Sequence, residues 1–187
     1  PDGDDTPDGD DTPDGDDTPD GDDTPDGDDT PDGTWTDPAT GLIWQKSAPE
    51  DAYGLSLEDA LAYCENLELG GADWHLPGIS ELRSLITGCP ATAVGGNCNL
   101  DDGICVDWDC VDQSCSDGCD YYGGSGSEGC YFSAELEGEC SGYWTSQIDP
   151  DNGEYAWLVD FQYASIYTSD KDVTYRVRCT QDMMGGR

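Results

Sequence analysis

Trp35-Thr36-Asp37-Pro38-Ala39-Thr40-Gly41-Leu42-Ile43-Trp44-Gln45 places two short aromatic and aliphatic runs on either side of Asp-Pro and a glycine. Proline biases the residue before it toward extended geometry, and glycine tolerates a chain reversal. The stretch therefore reads as strand, turn, strand. After it the hydrophobic period changes. Ser56-Leu57-Glu58-Asp59 resembles a capping box, and Leu57, Ala60, Leu61, Cys64 and Leu67 follow at helical spacing until Gly70-Gly71. Trp74-His75-Leu76-Pro77 is a short extended segment. Ser80 is expected to cap a second helix with Leu82, Leu85 and Ile86 on one face. Four short runs follow: Tyr143–Ser146, Tyr155–Phe161, Ala164–Thr168 and Tyr175–Thr180. They are aromatic and β-branched, separated by turn residues such as Asp149-Pro150-Asp151-Asn152-Gly153, and are expected to form an antiparallel meander. If the second and fourth share a sheet, Arg176 and Arg178 neutralise Asp160 or its neighbours. The fold class is α+β, with two helices and a small antiparallel sheet.

N-terminal to the hairpin the composition changes. Residues 1–30 are five identical copies of Pro-Asp-Gly-Asp-Asp-Thr, and Pro31-Asp32-Gly33-Thr34 begins a sixth. The 187-residue chain has 43 acids against 6 Lys/Arg, a net charge of −37. Residues 1–33 hold 16 of those Asp, so the remainder has 27 acids against 6 bases, a charge of −21. Glycine recurs every six residues, which excludes a collagen helix, where every third residue must be glycine. The hexad has no apolar face, so it is expected to be extended, not helical, and to become ordered only in an assembly. At roughly 3.1 Å per residue such a tail reaches about 100 Å. Its bland reading is a solvated, self-repelling stalk. Two sharper readings stand beside it. Asp2, Asp4, Asp5, Asp8, Asp10 and Asp11 present hard oxygens on tight turns, candidate ligands for calcium. Thr6, Thr12, Thr18, Thr24 and Thr30 each precede proline and are candidate O-glycan acceptors. The chain opens in mid-pattern at Pro1 without a signal peptide, as expected of a mature or truncated form. No cofactor is expected to be required, and calcium in the repeat tail is the one candidate.

The acidic balance excludes nucleic acid and anionic membranes as partners, because both need clustered Lys/Arg. No apolar run approaches the roughly 20 residues of a membrane span. Eight cysteines, Cys89, Cys98, Cys105, Cys110, Cys115, Cys119, Cys130 and Cys140, lie in a Gly-, Asp- and Ser-rich stretch over 88–142. With no Cys-x-x-Cys and a single histidine, His75, disulfides are expected over zinc. Four bridges would staple a loop with too little apolar content to pack; eight cysteines allow 105 pairings, so none is assigned. Cys64 and Cys179 remain to pair with each other. Disulfides point to an oxidising compartment. The boundaries are a repeat stalk over 1–34, a folded domain over 35–180 with the Cys-rich insertion at 88–142, and a C-terminal tail over 181–187.

These segments together resemble the Lcl C-terminal domain family. The matching pieces are Asp37–Gln45, the Ala60–Cys64 helix, Trp74-His75-Leu76-Pro77 and Glu81-Leu82-Arg83-Ser84-Leu85-Ile86. Tyr143-Trp144-Thr145-Ser146, Ala156–Phe161 and Arg176-Val177-Arg178-Cys179 complete them. The Cys-rich insertion resembles those of myxobacterial members. The resemblance implies a C-type-lectin-like fold in an extracellular bacterial domain, and supports a helix-to-last-strand bridge from Cys64 to Cys179. Members often end low-complexity stalks.

No Ser-His-Asp or Cys-His motif is present, and a lone His75 beside Trp74 and Pro77 reads as structural, so no enzyme activity is expected. Calcium-dependent lectins of this fold class use Glu-Pro-Asn or Gln-Pro-Asp with Trp-Asn-Asp, and none of these strings occurs. Gln147–Asn152 reads as a hairpin turn. A domain of charge −21 repels sulfated glycans. Tyr121, Tyr122 and Tyr131 are read as exposed aromatics for neutral sugars or a neighbouring subunit. The leading expectation is a secreted structural protein, a subunit of an extracellular fibre or cell-surface stalk whose partners are copies of itself. The alternative is a cell-surface adhesin for a neutral glycan or protein ligand, with the tail as a passive spacer.

Overall fold

A computed structural model describes residues 33–47, 54–70, 73–103 and 105–182. The tail candidates Asp2, Asp4, Asp5, Asp8, Asp10, Asp11, Thr6, Thr12, Thr18, Thr24 and Thr30 lie outside the described residues, as do Gly71 and residues 183–187. The opening hairpin is Thr34–Thr36 (β1) paired antiparallel with Ile43–Gln45 (β2), Trp35 opposite Trp44. Asp37 builds the turn. Its carboxylate accepts the Ala39 N–H at 2.9 Å and the Thr40 hydroxyl at 2.7 Å, and Gly41 takes a φ of +77°.

Leu57–Glu65 forms α1, capped by Ser56, whose Oγ accepts the Asp59 N–H at 3.2 Å. Ile79–Ser84 forms α2. A third helix not expected from sequence, α3 at Gln113–Asp117, lies inside the Cys-rich insertion. Gly142–Ile148 (β3), Tyr155–Asp160 (β4) and Ser165–Asp170 (β5) make an antiparallel meander with β4 central. Among the described residues no helix is long and apolar enough to cross a membrane.

Strand β4 is buried on both faces. Trp157, Val159 and the following Phe161 pack with Ile79, Leu82, Phe132 and Tyr143. Ala156 and Leu158 pack on the other side with Leu57, Ala60, Cys64, Trp144 and Val177. A strand covered on both faces reads as a continuous apolar run, which is what Ala156–Val159 shows. Helices α1 and α2 both contact β3, and α2 also contacts β4.

The fourth run departs from the expected meander. Tyr175 bridges Leu55 antiparallel, and Arg176 bridges Tyr143 in parallel. Only Thr180–Gln181 (β6) is a ladder strand, and it joins β2 in the first sheet. The described residues thus form two small sheets, ordered β1-β2-β6 and β3-β4-β5. Alternation along Tyr175–Cys179 identifies extended chain but says nothing of its partner. The proposed pairing of the arginines with Asp160 also fails. Arg176 forms an ion pair with Glu139. Arg178 is buried, and donates to the carbonyls of Gln45 at 2.7 Å, Lys46 at 2.9 Å and Glu137 at 2.6 Å. Its guanidinium sits 5.4 Å and 5.6 Å from the ring centres of Phe132 and Tyr143. Asp160 instead accepts the Gln162 N–H at 2.6 Å.

Arg178→Met keeps much of the volume but strips the Gln45 and Glu137 carbonyls of this donor, while the Lys46 carbonyl keeps the Glu137 N–H. Unsatisfied buried acceptors make the expected loss on the order of 3–5 kcal/mol, read as a lower urea midpoint.

Candidate functional site

The insertion is rich in polar residues, and covalent and hydrogen-bonded staples order it around the large side chains it buries, Leu100, Tyr131, Phe132 and Leu136. Cys89–Cys119 encloses Cys98–Cys115, which encloses Cys105–Cys110. Cys130–Cys140 closes the next segment, and Cys64–Cys179 ties α1 to the residue before β6. No cysteine is free. Within this frame the buried Arg83 of α2 donates to the carbonyls of Thr92 at 2.8 Å, Cys98 at 2.9 Å, Ala93 at 3.1 Å and Leu100. These carbonyls belong to a loop that has no strand ladder to satisfy them.

Helix α2 begins at Ile79 with Gly78 as its N-cap, not at Ser80. The cap is supplied from a distance: Asp102 of the insertion accepts from Ile79 N and Ser80 N, both at 2.9 Å, and Gln147 of β3 accepts from Ile79 N at 2.8 Å. A side chain at position 78 would collide with the Asp102 carboxylate. Burial pushes the Asp102 carboxyl above its ordinary pKa, against the pull of these amides.

The insertion meets the β4–β5 turn through backbone bonds. Cys119 N–H donates to the Tyr163 carbonyl at 2.6 Å, and Tyr122 N–H donates to the Gln162 carbonyl at 3.0 Å. The junction raises three tyrosines to the surface: Tyr121 is 58% exposed, Tyr122 38% and Tyr163 40%. Tyr121 meets Tyr122 edge-on at 4.3 Å between ring centres, and meets Tyr163 tilted at 5.0 Å. The Gln162 side-chain amide donates to the Tyr122 hydroxyl at 2.7 Å. Tyr122 and Ala164 hold left-handed backbone, with φ of +51° and +52°. Such conformations in non-glycine residues cost about 1 kcal/mol or more and persist where surrounding bonds dictate them. Gly118, at φ +60°, has no room for a Cβ beside the Tyr163 carbonyl.

Of the tyrosines singled out in the sequence, Tyr121 and Tyr122 are in this surface. Tyr131 is not: it is 1% exposed, and its hydroxyl donates to the Asp120 carbonyl at 2.7 Å from beneath. Tyr163 was missed, because only the folded chain brings the β4–β5 turn beside the insertion. The remaining candidates are engaged elsewhere. His75 Nε2 lies 3.2 Å from Glu81. Asp149 accepts the Trp108 indole N–H at 2.8 Å and the Asp151 N–H at 3.0 Å, so the hairpin turn between β3 and β4 starts at Asp149, while Gln147 and Ile148 of the expected turn belong to β3. Cys105, Asp107 and Cys110 lie close enough for a metal, but the two sulfurs are bonded to each other.

The His75–Glu81 pair gives a pH signature. The hydrogen bond that His75 donates to the Glu81 carboxylate raises the His75 pKa. Burial opposes ionisation of Glu81, but the bonds from His75 and Gly78 outweigh it and lower its pKa. The His75 contribution is complete below its unfolded pKa and is lost as pH rises through the raised folded one; that of Glu81 is lost as pH falls through its lowered pKa. Melting temperature followed against pH is therefore expected to fall on the alkaline side of the histidine titration, and His75→Gln is expected to flatten that fall.

No curated protein matches this chain. The model of the Lcl C-terminal domain matches residues 33–181, the whole span from β1 to β6. With most of its length covered by that match, the chain belongs to the Lcl C-terminal domain family.

Proposed function

We propose that this chain is a secreted structural protein, a subunit of an extracellular fibre or cell-surface stalk. The observation that carries the reading is the hexad repeated identically five times ahead of a disulfide-stapled head. Tandem repeats offer every neighbour the same surface, which suits stacking between subunits. A head that contacts a neighbour's tail makes a heterologous contact, and such contacts propagate into filaments when the rotation does not close. Five disulfides suit an oxidising extracellular setting and need no large apolar core. The carboxylates of the tail require screening for close packing, by calcium on Asp2, Asp4, Asp5 and their repeats or by glycans on Thr6 and its repeats that space the strands.

The tyrosine surface favours a second reading, an adhesin head on a passive spacer. Electron microscopy of the full chain in physiological salt and calcium separates the two. Filaments are expected, with a chain lacking residues 1–33 remaining monomeric. Monomers with a tail mobile by NMR would contradict the fibre and leave the spacer. Dissolution of filaments by chelator would identify calcium as the screen, and extra mass on the threonines would identify glycans.

A further inference from the structure

We infer that Tyr121, Tyr122 and Tyr163 form a stacking surface for an uncharged pyranose. The inference rests on the reading of the head as a binding module and is independent of the fibre. The other large aromatics of this core are enclosed: Trp44, Phe132, Tyr143, Trp144, Trp157 and Phe161 are all 1% exposed or less. Against that background, three tyrosines clustered at one loop junction stand out. Their positions are fixed before any ligand arrives. The Cys89–Cys119 bridge anchors one loop, the Asp160 carboxylate holds the amide of Gln162 in the other, and two backbone bonds join them. A preorganised surface loses little freedom on binding, and tyrosine offers broad amphipathic area with few torsions.

Ring spacing and charge decide what that surface takes. At 4.3 Å and 5.0 Å between centres the rings touch one another, so no ammonium group enters between them as in an aromatic cage. The ligand must lie on the outer faces. The folded part carries 27 acids against 6 bases, and Asp120 adjoins Tyr121, so an anionic ligand is repelled. What remains is a neutral molecule with one apolar C–H face for the rings and hydroxyls at its edge for the phenols and the Gln162 amide. A pyranose has that shape. The sugar has two sources, a glycan on repeat threonines of another copy or a glycan on a foreign surface.

The test is saturation-transfer NMR on the full chain with methyl β-D-glucopyranoside and methyl α-D-mannopyranoside, each with and without EDTA. Transfer to ring C–H protons of at least one sugar is expected, unchanged by EDTA, with glucuronate giving none. Tyr121→Ala is expected to weaken binding about tenfold, the scale of one lost aromatic contact. Tyr121→Phe, which keeps the ring, is expected to retain most of it, and an unchanged disulfide map verifies the fold of both. A hexad-repeat peptide bearing hexose on threonine then separates the sources. Binding tighter than the free glycoside assigns the sugar to the repeats, and equal or weaker binding assigns it to a foreign glycan. No transfer from either sugar, affinity undiminished by Tyr121→Ala, or salt-sensitive binding of a basic peptide in place of sugar overturns the inference. Failure here leaves filament formation untouched, so the two readings fall separately.

Discussion

Two buried guanidinium groups gather backbone carbonyls from segments that are distant in sequence. Arg83 collects four carbonyls of the loop over 92–100, and Arg178 collects three from the end of β2 and from the insertion. A buried carbonyl without a donor costs more than a typical hydrogen bond gains. Arginine answers this with five N–H donors in a rigid fork, which a lysine ammonium cannot reproduce. The cost is a desolvated cation. For Arg83 the field of Asp101 and Asp102 offsets part of it, and Arg178 lies against the rings of Phe132 and Tyr143. Buried tryptophans act in the same way on a smaller scale: the indole N–H groups of Trp144 and Trp157 donate to the carbonyls of Leu55 and Val106. The insertion therefore attaches to the core through polar anchors as well as through the apolar side chains of Leu100, Phe132 and Leu136.

That arrangement explains why the exposed tyrosines sit where they do. The insertion sends Leu100, Phe132 and Leu136 into the core, and three disulfides nested over 89–119 limit how far it can spread. Arg83 fixes its start, and the bonds of Cys119 and Tyr122 to the β4–β5 turn fix its far end. Strand β4, packed on both faces, leaves that turn little freedom. The surface thus inherits its rigidity from the core.

Much of this was legible in the sequence. The Asp37–Gly41 turn, the Ser56 cap, the start of α1 and the aromatic and β-branched runs of β3 to β5 are local signals that appear where local chemistry places them, whereas α1 ends at Glu65, before Leu67 and the expected Gly70-Gly71 stop. Outside the insertion only Cys64 and Cys179 remained, and the structure bonds them. What was illegible is non-local. Ser80 looks like a cap because serine prefers that position, yet Asp102 of the distant insertion occupies the helix end. Alternation marked Tyr175–Cys179 as extended without revealing that the chain leaves one sheet and enters another. Arg178 reads as a partner for Asp160 or its neighbours, and its burial follows only from carbonyls of two separate segments, Gln45–Lys46 and Glu137. Tyr131 and Tyr163 exchanged roles for the same reason: neither residue's neighbours in sequence decide which side of the junction it faces.

The central claim is that the insertion is held by guanidinium-to-carbonyl bonds and not by apolar packing or cross-links alone. Hydrogen exchange on the oxidised Arg83→Lys variant tests it, since the charge and all five disulfides are kept while the fork is lost. The account predicts faster exchange at Gly96, Cys98 and Asp101, whose amides bond within the loop that Arg83 supports, with β3, β4 and β5 unchanged. Unchanged protection at those three amides would show that the cross-links suffice and would contradict it.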